Sequence, residues 1–165
     1  GKENRLEYVC NHHEQACSMA AEGYARVTNK IGISYVTTGP GGTNAITGVY
    51  SAWVDSIPTL TISGQVKFQT TIASQPDLPL RQLGDQEVNI IDLVKPITKY
   101  ATMITDKNSI KYHLQKAVYE AKNGRPGPVW LDIPLDIQGA LVDENNLFEF
   151  EPEVKDSFDN CIERV

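Results

Sequence analysis

Apolar positions along the chain alternate between two spacings. Leu6-Glu7-Tyr8-Val9-Cys10 reads as a short strand. Ala16, Met19, Ala20, Gly23, Tyr24 and Val27 then recur at helical spacing and predict a helix from Glu14 to about Lys30, its stripe made of side chains small enough for close packing. Ile31 to Thr37 has the β-branched and aromatic content of a buried strand. A glycine turn, Thr38-Gly39-Pro40-Gly41-Gly42-Thr43-Asn44, leads into a predicted helix over 45–54 that stops before Pro58. Pro58 to Gly64 is a third strand, Gln86 to Val94 a short helix halted before Pro96, and Thr98 to Ile104 another strand.

The clearest helix follows. Ser109 is placed to cap it, Ile110, Leu114, Ala117, Val118 and Ala121 form its stripe, and Gly124 fits the position past its end. Arg125-Pro126-Gly127-Pro128 turns rigidly into a last strand over 129–133. Strands alternating with helices predict an α/β fold, a doubly wound and mostly parallel sheet with helices on both faces. Between Val66 and Asp85 no period holds. A long amide- and hydroxyl-rich segment of that kind is either a binding or interface loop or a meandering connection.

Composition narrows the partners. A chain of 165 residues, 41% hydrophobic and 22% charged, accommodates one domain with a real core. Its net charge is -6 and it has no basic run, which disfavours nucleic acid and anionic membranes as partners. Cys10, Cys17 and Cys161 fit no zinc or disulfide spacing and read as free thiols of a reducing, cytoplasmic compartment. No apolar run approaches the roughly 18 residues of a membrane span, and the polar start, Gly1 to Arg5, is unlike a signal peptide. From about Asp143 the chain becomes acidic and loses its pattern, as a linker or tail does.

Candidate chemistry lies where predicted strands give way to helices. Glu14 stands at such a junction, facing the crevice at the carboxyl ends of the strands or simply favoured there by the helix dipole. The glycine turn offers either ligand-facing N–H groups or a tight connection capped by Thr43 or Asn44. It lacks the closing Lys and Ser or Thr of a phosphate-binding P-loop. Adjacent His12 and His13 on an extended segment point to opposite faces and form no chelating pair; His113 is expected on a polar helix surface.

Taken in order, several segments resemble the pyrimidine-binding domain of thiamine-diphosphate enzymes, most closely the acetolactate synthase-like branch. They are His13-Glu14-Gln15 with Ala20-Ala21-Glu22-Gly23-Tyr24-Ala25-Arg26, the glycine turn, Asp55-Ser56-Ile57-Pro58, Ile62-Ser63-Gly64-Gln65, Gly124 to Val129, and Asp132-Ile133-Pro134. The likeness runs from about residue 7 to 137. It implies a pyrimidine-binding domain over 1–142 and an acidic linker or tail over 143–165 leading to a middle domain. It also implies the role of Glu14: hydrogen-bonding N1′ of the aminopyrimidine and favouring the imino tautomer, whose nitrogen takes the thiazolium C2 proton. That role calls for a mostly dry site, which tends to raise the carboxyl pKa.

By the same resemblance Pro40, Gly41 and Asn44 line the ring's pocket, while His13, Gln65 and Gln86 are candidates for the substrate side. The implied reaction is decarboxylation of a 2-oxo acid followed by carboligation, a lyase or transferase activity. Gly84-Asp85-Gln86-Glu87 stands where that branch carries Ala-Phe-Gln-Glu, His12 replaces an Arg and Gly42 an Ala. The diphosphate and Mg2+ would be held by a separate domain bearing a Gly-Asp-Gly segment and an Asn, so no metal ligand is expected here. A homo-oligomer, dimer or tetramer, is implied, and this chain alone is expected to be inactive. The family's first strand is expected to precede Leu6, leaving an incomplete sheet that self-associates or borrows a strand. The reading from another class is a non-catalytic α/β module that binds a nucleotide or a partner through residues 38–44.

Overall fold

In the computed structural model, which describes residues 6–152, four parallel strands form one sheet in the order β1-β2-β4-β3. They are β1 (Gly32–Val36), β2 (Thr59–Gln65), β3 (Tyr100–Met103) and β4 (Val129–Pro134). The helices are α1 (Glu14–Thr28), α2 (Pro40–Val54), α3 (Ile90–Val94), α4 (Ile110–Lys122) and the single turn α5 (Leu135–Gln138). The doubly wound α/β arrangement expected from the alternation of periods is present, with helices on both faces.

Two apolar layers sandwich the central strands. On one face Leu60 and Ile62 of β2 and Val129 and Leu131 of β4 pack with Ile104 and with Ala117 and Ala121 of α4. On the other, Trp130 packs with Ala45 and Val49 of α2 and Ile90 and Val94 of α3. Strands buried on both sides lose the alternation of apolar and polar residues, which is why β4 reads as a nearly continuous apolar run.

Several boundaries and faces differ from the sequence expectations. Residues 6–10 form no strand: Leu6, Tyr8 and Val9 are exposed, and no strand pairs with them among the described residues. β1 is an edge strand, with Tyr35 71% exposed, because α4 covers β2, β4 and β3 and leaves the outer part of that face bare. The helix after the glycine turn starts at Pro40, five residues early. Proline's fixed φ suits a first helical position, and the N-cap is Gly39 at φ 59°, so neither Thr43 nor Asn44 caps it. A side chain on Gly39 would also meet the carbonyl of Gln86, since an ideal Cβ lies 2.0 Å from that oxygen.

The predicted helix over 86–94 shortens to α3, capped by the Asn89 side chain at the amide of Asp92. Ser109 makes no side-chain cap on α4; its hydroxyl donates to the carbonyl of Asp106, whose carboxylate caps the preceding 3-10 turn. His113 is not a surface residue, being half-buried with Nδ1 2.6 Å from the Tyr100 hydroxyl. Burial pushes its pKa down, and Lys116 adds to the effect.

The largest difference concerns α1. Its apolar stripe does not face the core: Met19, Tyr24 and Val27 are exposed, Val27 by 85%. The buried side is Ser18, Ala21, Glu22 and Ala25, and there α1 approaches α2 so closely that a Cβ on Gly48 would stand 2.3 Å from Ser18 Oγ. Glu22 is nearly fully buried yet satisfied, since Arg26 Nε and Ser51 Oγ each donate to Oε1 at 3.0 Å. Arg26 also pairs with Asp55, tying the end of α2 to α1.

The described part of the acidic segment lies along α4. Lys107 Nζ donates to the Leu141 carbonyl, Phe148 N to the Asn108 carbonyl and Phe150 N to Gln115 Oε1, while the Phe150 ring packs against Tyr112 and Tyr119. Residues 1–5 and 153–165, Cys161 among them, lie outside the described residues; Cys10 and Cys17 are free thiols. No helix among the described residues is long and apolar enough to cross a membrane.

Candidate functional site

Parallel strands direct their carboxyl ends toward one edge, and the loops that follow them gather there. β1 leads to the glycine turn, β2 ends at Gln65, and β4 carries Asp132 near its end. Opposite this edge stands the first turn of α1.

Glu14 is the first residue of α1, and His13 is its N-cap: the imidazole Nδ1 accepts from the amide of Ala16 at 3.3 Å. That contact fixes where α1 begins and therefore where the Glu14 side chain starts. Asn44 Nδ2, one turn into α2, donates to Glu14 Oε2 at 2.9 Å. Gly41 lies beside the other oxygen; an ideal Cβ built on it would come within 3.4 Å of Glu14 Oε1 and 2.6 Å of Thr37 Cγ2. Gly41 thus lets the turn pack closely against Thr37 and the carboxylate, where a larger residue would clash. Pro40 is exposed at the head of the same helix.

The electrostatics of Glu14 differ from the dry site that the sequence implied. Its side chain is half-buried at the rim of the turn, and its pKa is lowered by the Asn44 hydrogen bond, then by its own backbone amide, with His13 adding a smaller effect and burial opposing. The carboxyl is therefore ionised at neutral pH, an acceptor poised for a donor or for a proton.

Gln65 is buried, and its amide is fully engaged. Oε1 accepts from Thr38 Oγ1 at 2.7 Å and from the Val66 amide at 3.0 Å, while Nε2 donates to Val88 O at 3.1 Å and Asp132 Oδ2 at 3.0 Å. It thus supports the glycine turn from beneath. Gln86 is exposed at φ 56°, a left-handed conformation uncommon for a residue with a side chain, and its carbonyl packs on Gly39. The structure accordingly gathers Glu14, Asn44, Gly41, Pro40, Gln65 and Gln86 around the segment 38–44, with His13 adjoining as the cap of α1.

Besides Glu22, two buried carboxylates, Asp132 and Glu87, were given no role by the sequence. Asp132 is fully buried and accepts from Ser63 Oγ at 2.6 Å as well as from Gln65, and Ser63 in turn accepts from Trp130 Nε1 at 2.8 Å. Burial pushes its pKa up to about 6 against those two donors, with Glu87 pushing the same way. The available signal was one charged residue inside the apolar run Val129-Trp130-Leu131-Asp132-Ile133. Glu87 organises the unpatterned loop: its Oε1 accepts from the amide of Ile72, and its Oε2 from those of Leu83 and Gly84. No group of three or more His, Cys, Asp or Glu side chains placed to hold a metal occurs among the described residues.

The family model described as thiamine pyrophosphate enzyme, N-terminal TPP binding domain, matches residues 1–91. The acetolactate synthase large subunit of Buchnera aphidicola subsp. Schizaphis graminum is 42% identical over 132 residues, covering 80% of this chain and 22% of that protein. That of Lactococcus lactis subsp. lactis is 38% identical over 141 residues, covering 86% and 23%. Acetolactate synthase 3, chloroplastic, of Brassica napus is 38% identical over 147 residues, covering 87% and 21%. The chain spans about a fifth of the length of the curated relatives it matches.

Proposed function

Because the chain belongs to the family of thiamine pyrophosphate enzyme N-terminal TPP-binding domains, we propose that it supplies the aminopyrimidine half of a cofactor site in an acetolactate synthase-like enzyme. The observation that carries this is the pairing of Glu14 with Asn44 beside the bare backbone of Gly41. These residues fit the group: an ionised carboxylate with one oxygen not engaged by Asn44, and a side-chain amide fixing its rotamer.

When bound, thiamine diphosphate supplies an electron sink for decarboxylation of a 2-oxo acid and a nucleophilic carbon for the carboligation that follows. The chain's own contribution is to hold and move one proton. Glu14 would accept the hydrogen bond of a protonated ring nitrogen and, having taken that proton, would be the group that returns it. Asn44 keeps the carboxylate directed toward the ring, and Pro40 and Gly41 set the surface on which it lies. His13 fixes the start of α1, and Gln65 and Gln86 shape the substrate side, where Gly84 and Asp85 leave a less apolar wall than a phenylalanine. The remaining parts of the proposal are a cytoplasmic homo-oligomer, dimer or tetramer, with the diphosphate and Mg2+ held by a separate domain. In that arrangement residues 1–142 are the pyrimidine-binding domain and 143–165 the link onward.

The test is Glu14→Gln in the full-length enzyme. The amide retains size and hydrogen bonding but transfers no proton, so turnover should fall by roughly 10²- to 10⁴-fold, the usual weight of a positioned acid or base. Circular dichroism should be unchanged. Turnover close to that of the parent enzyme would overturn the assignment.

A further inference from the structure

Beneath the glycine turn runs a buried polar chain whose carboxylate, Asp132, has no task in the proposed activity. It links two central strands to the turn through successive donors: Trp130 Nε1 to Ser63 Oγ, Ser63 Oγ to Asp132 Oδ1, Gln65 Nε2 to Asp132 Oδ2, and Thr38 Oγ1 to Gln65 Oε1. Ser63 and Asp132 are register partners on adjacent strands, so the sheet itself fixes the first links. A fully buried carboxylate with no cation at hydrogen-bond distance is costly, and a leucine would fill the same strand position without that cost.

We propose that Asp132 is a positioning residue for the cofactor site: it fixes the orientation of the Gln65 amide and, through it, the Thr38 hydroxyl at the start of the glycine turn that faces Glu14. An ionised carboxylate only accepts hydrogen bonds, so it takes one hydrogen of the Gln65 Nε2 group while the Val88 carbonyl takes the other. Oε1 is then turned toward Thr38 and toward the Val66 amide at 3.0 Å. The flipped amide would set Nε2 against the Val66 N–H, donor against donor, and Oε1 against the Asp132 carboxylate. One orientation therefore survives. Thr38 also accepts, through its carbonyl, from the amide of Gly41, and Gly39 accepts from Thr43, so a displaced Thr38 carries the first turn of α2 and Asn44 with it. Although burial raises the Asp132 pKa to about 6, the group stays mainly ionised at neutral pH, as the accepting role needs.

This inference rests on the proposed cofactor site, and its test separates the two. Asp132→Asn, Thr38→Val and the conservative Thr38→Ser are made in the full-length enzyme. Without cofactor, hydrogen exchange at the amides of Gly41 and Thr43 should quicken in Asp132→Asn and Thr38→Val and stay at the parent rate in Thr38→Ser. Unchanged exchange in Thr38→Val overturns the proposal even if Asp132→Asn does not fold. With cofactor, the thiamine diphosphate concentration giving half-maximal activity should rise about tenfold in either variant while kcat changes by no more than about twofold. The combined variant should be no worse than the more affected single one, because both cut one path. An unchanged cofactor requirement, or effects that multiply, overturns it. Should the parent enzyme need no thiamine diphosphate, the functional reading fails, and hydrogen exchange still decides whether Asp132 holds the turn.

Discussion

Two carboxylates of this domain have their pKa values shifted in opposite directions by their surroundings. Glu14 receives an amide hydrogen from Asn44, so its pKa lies below the ordinary value; Asp132 is sealed between strands and lies above it, at about 6. The signs have opposite consequences for folding. The Glu14 contribution is present above the unfolded carboxylate range and is lost as pH falls through its lowered pKa. The Asp132 contribution is present below about pH 4 and is lost as pH rises through about 6, because the buried form prefers its proton. Carbon-detected NMR of the side-chain carboxyls should therefore give an Asp132 midpoint near 6, and the Trp130 indole N–H should shift at the same midpoint through Ser63. An Asp132 midpoint in the ordinary aspartate range would contradict the burial argument. The role proposed for Glu14 comes from its segment and neighbours in sequence. Its ionisation was not legible there, since the donor that sets it comes from Asn44, thirty positions away.

At the scale of elements, the loop over 66–85 shows how a segment without periodicity acquires a defined path. Three backbone N–H groups converge on the Glu87 carboxylate, and hydrogen bonds to a charged acceptor contribute about 1.5–3 kcal/mol each. Glu87→Ala leaves those amides without their acceptor, so proteolysis between Ile72 and Gly84 should quicken markedly while the sheet keeps its protection. Cleavage at the parent rate would show that other contacts hold the loop. Period analysis found every strand of the sheet and the longer helices because burial imposes a pattern on them. It missed this loop's organisation because a single carboxylate carries it. It also misjudged the face of α1, where small residues on two sides of the helix, Ala16 and Ala20 against Ala21 and Ala25, compete for the same packing role. The decisive contact is between helices: Gly48 admits Ser18, and Gly48→Val should cost about 1–3 kcal/mol by overpacking, read as a lower Tm.

At the scale of the molecule, the same misjudged stripe becomes informative. Met19, Tyr24 and Val27 on α1, with Tyr50 and Val54 on α2 and Ile33 and Tyr35 on the edge strand, present apolar surface that the described residues leave uncovered. Isolated exposed apolar residues are ordinary, but a helix that turns its small-residue side to the core and its larger apolar side outward is built for burial on both sides. In the proposed arrangement Glu14, Asn44 and the glycine turn take only the ring of the cofactor, and among the described residues no cluster of metal ligands stands ready for a diphosphate and its cation. Titration calorimetry of residues 1–165 with thiamine diphosphate and Mg2+ should thus show little or no heat, against clear binding by the full-length enzyme. If the diphosphate is held elsewhere, loss of that anchor removes most of the affinity while leaving Glu14 in place. Tight binding by the isolated chain would mean that its own loops contain the diphosphate site, and the division of the cofactor between two domains would have to be abandoned.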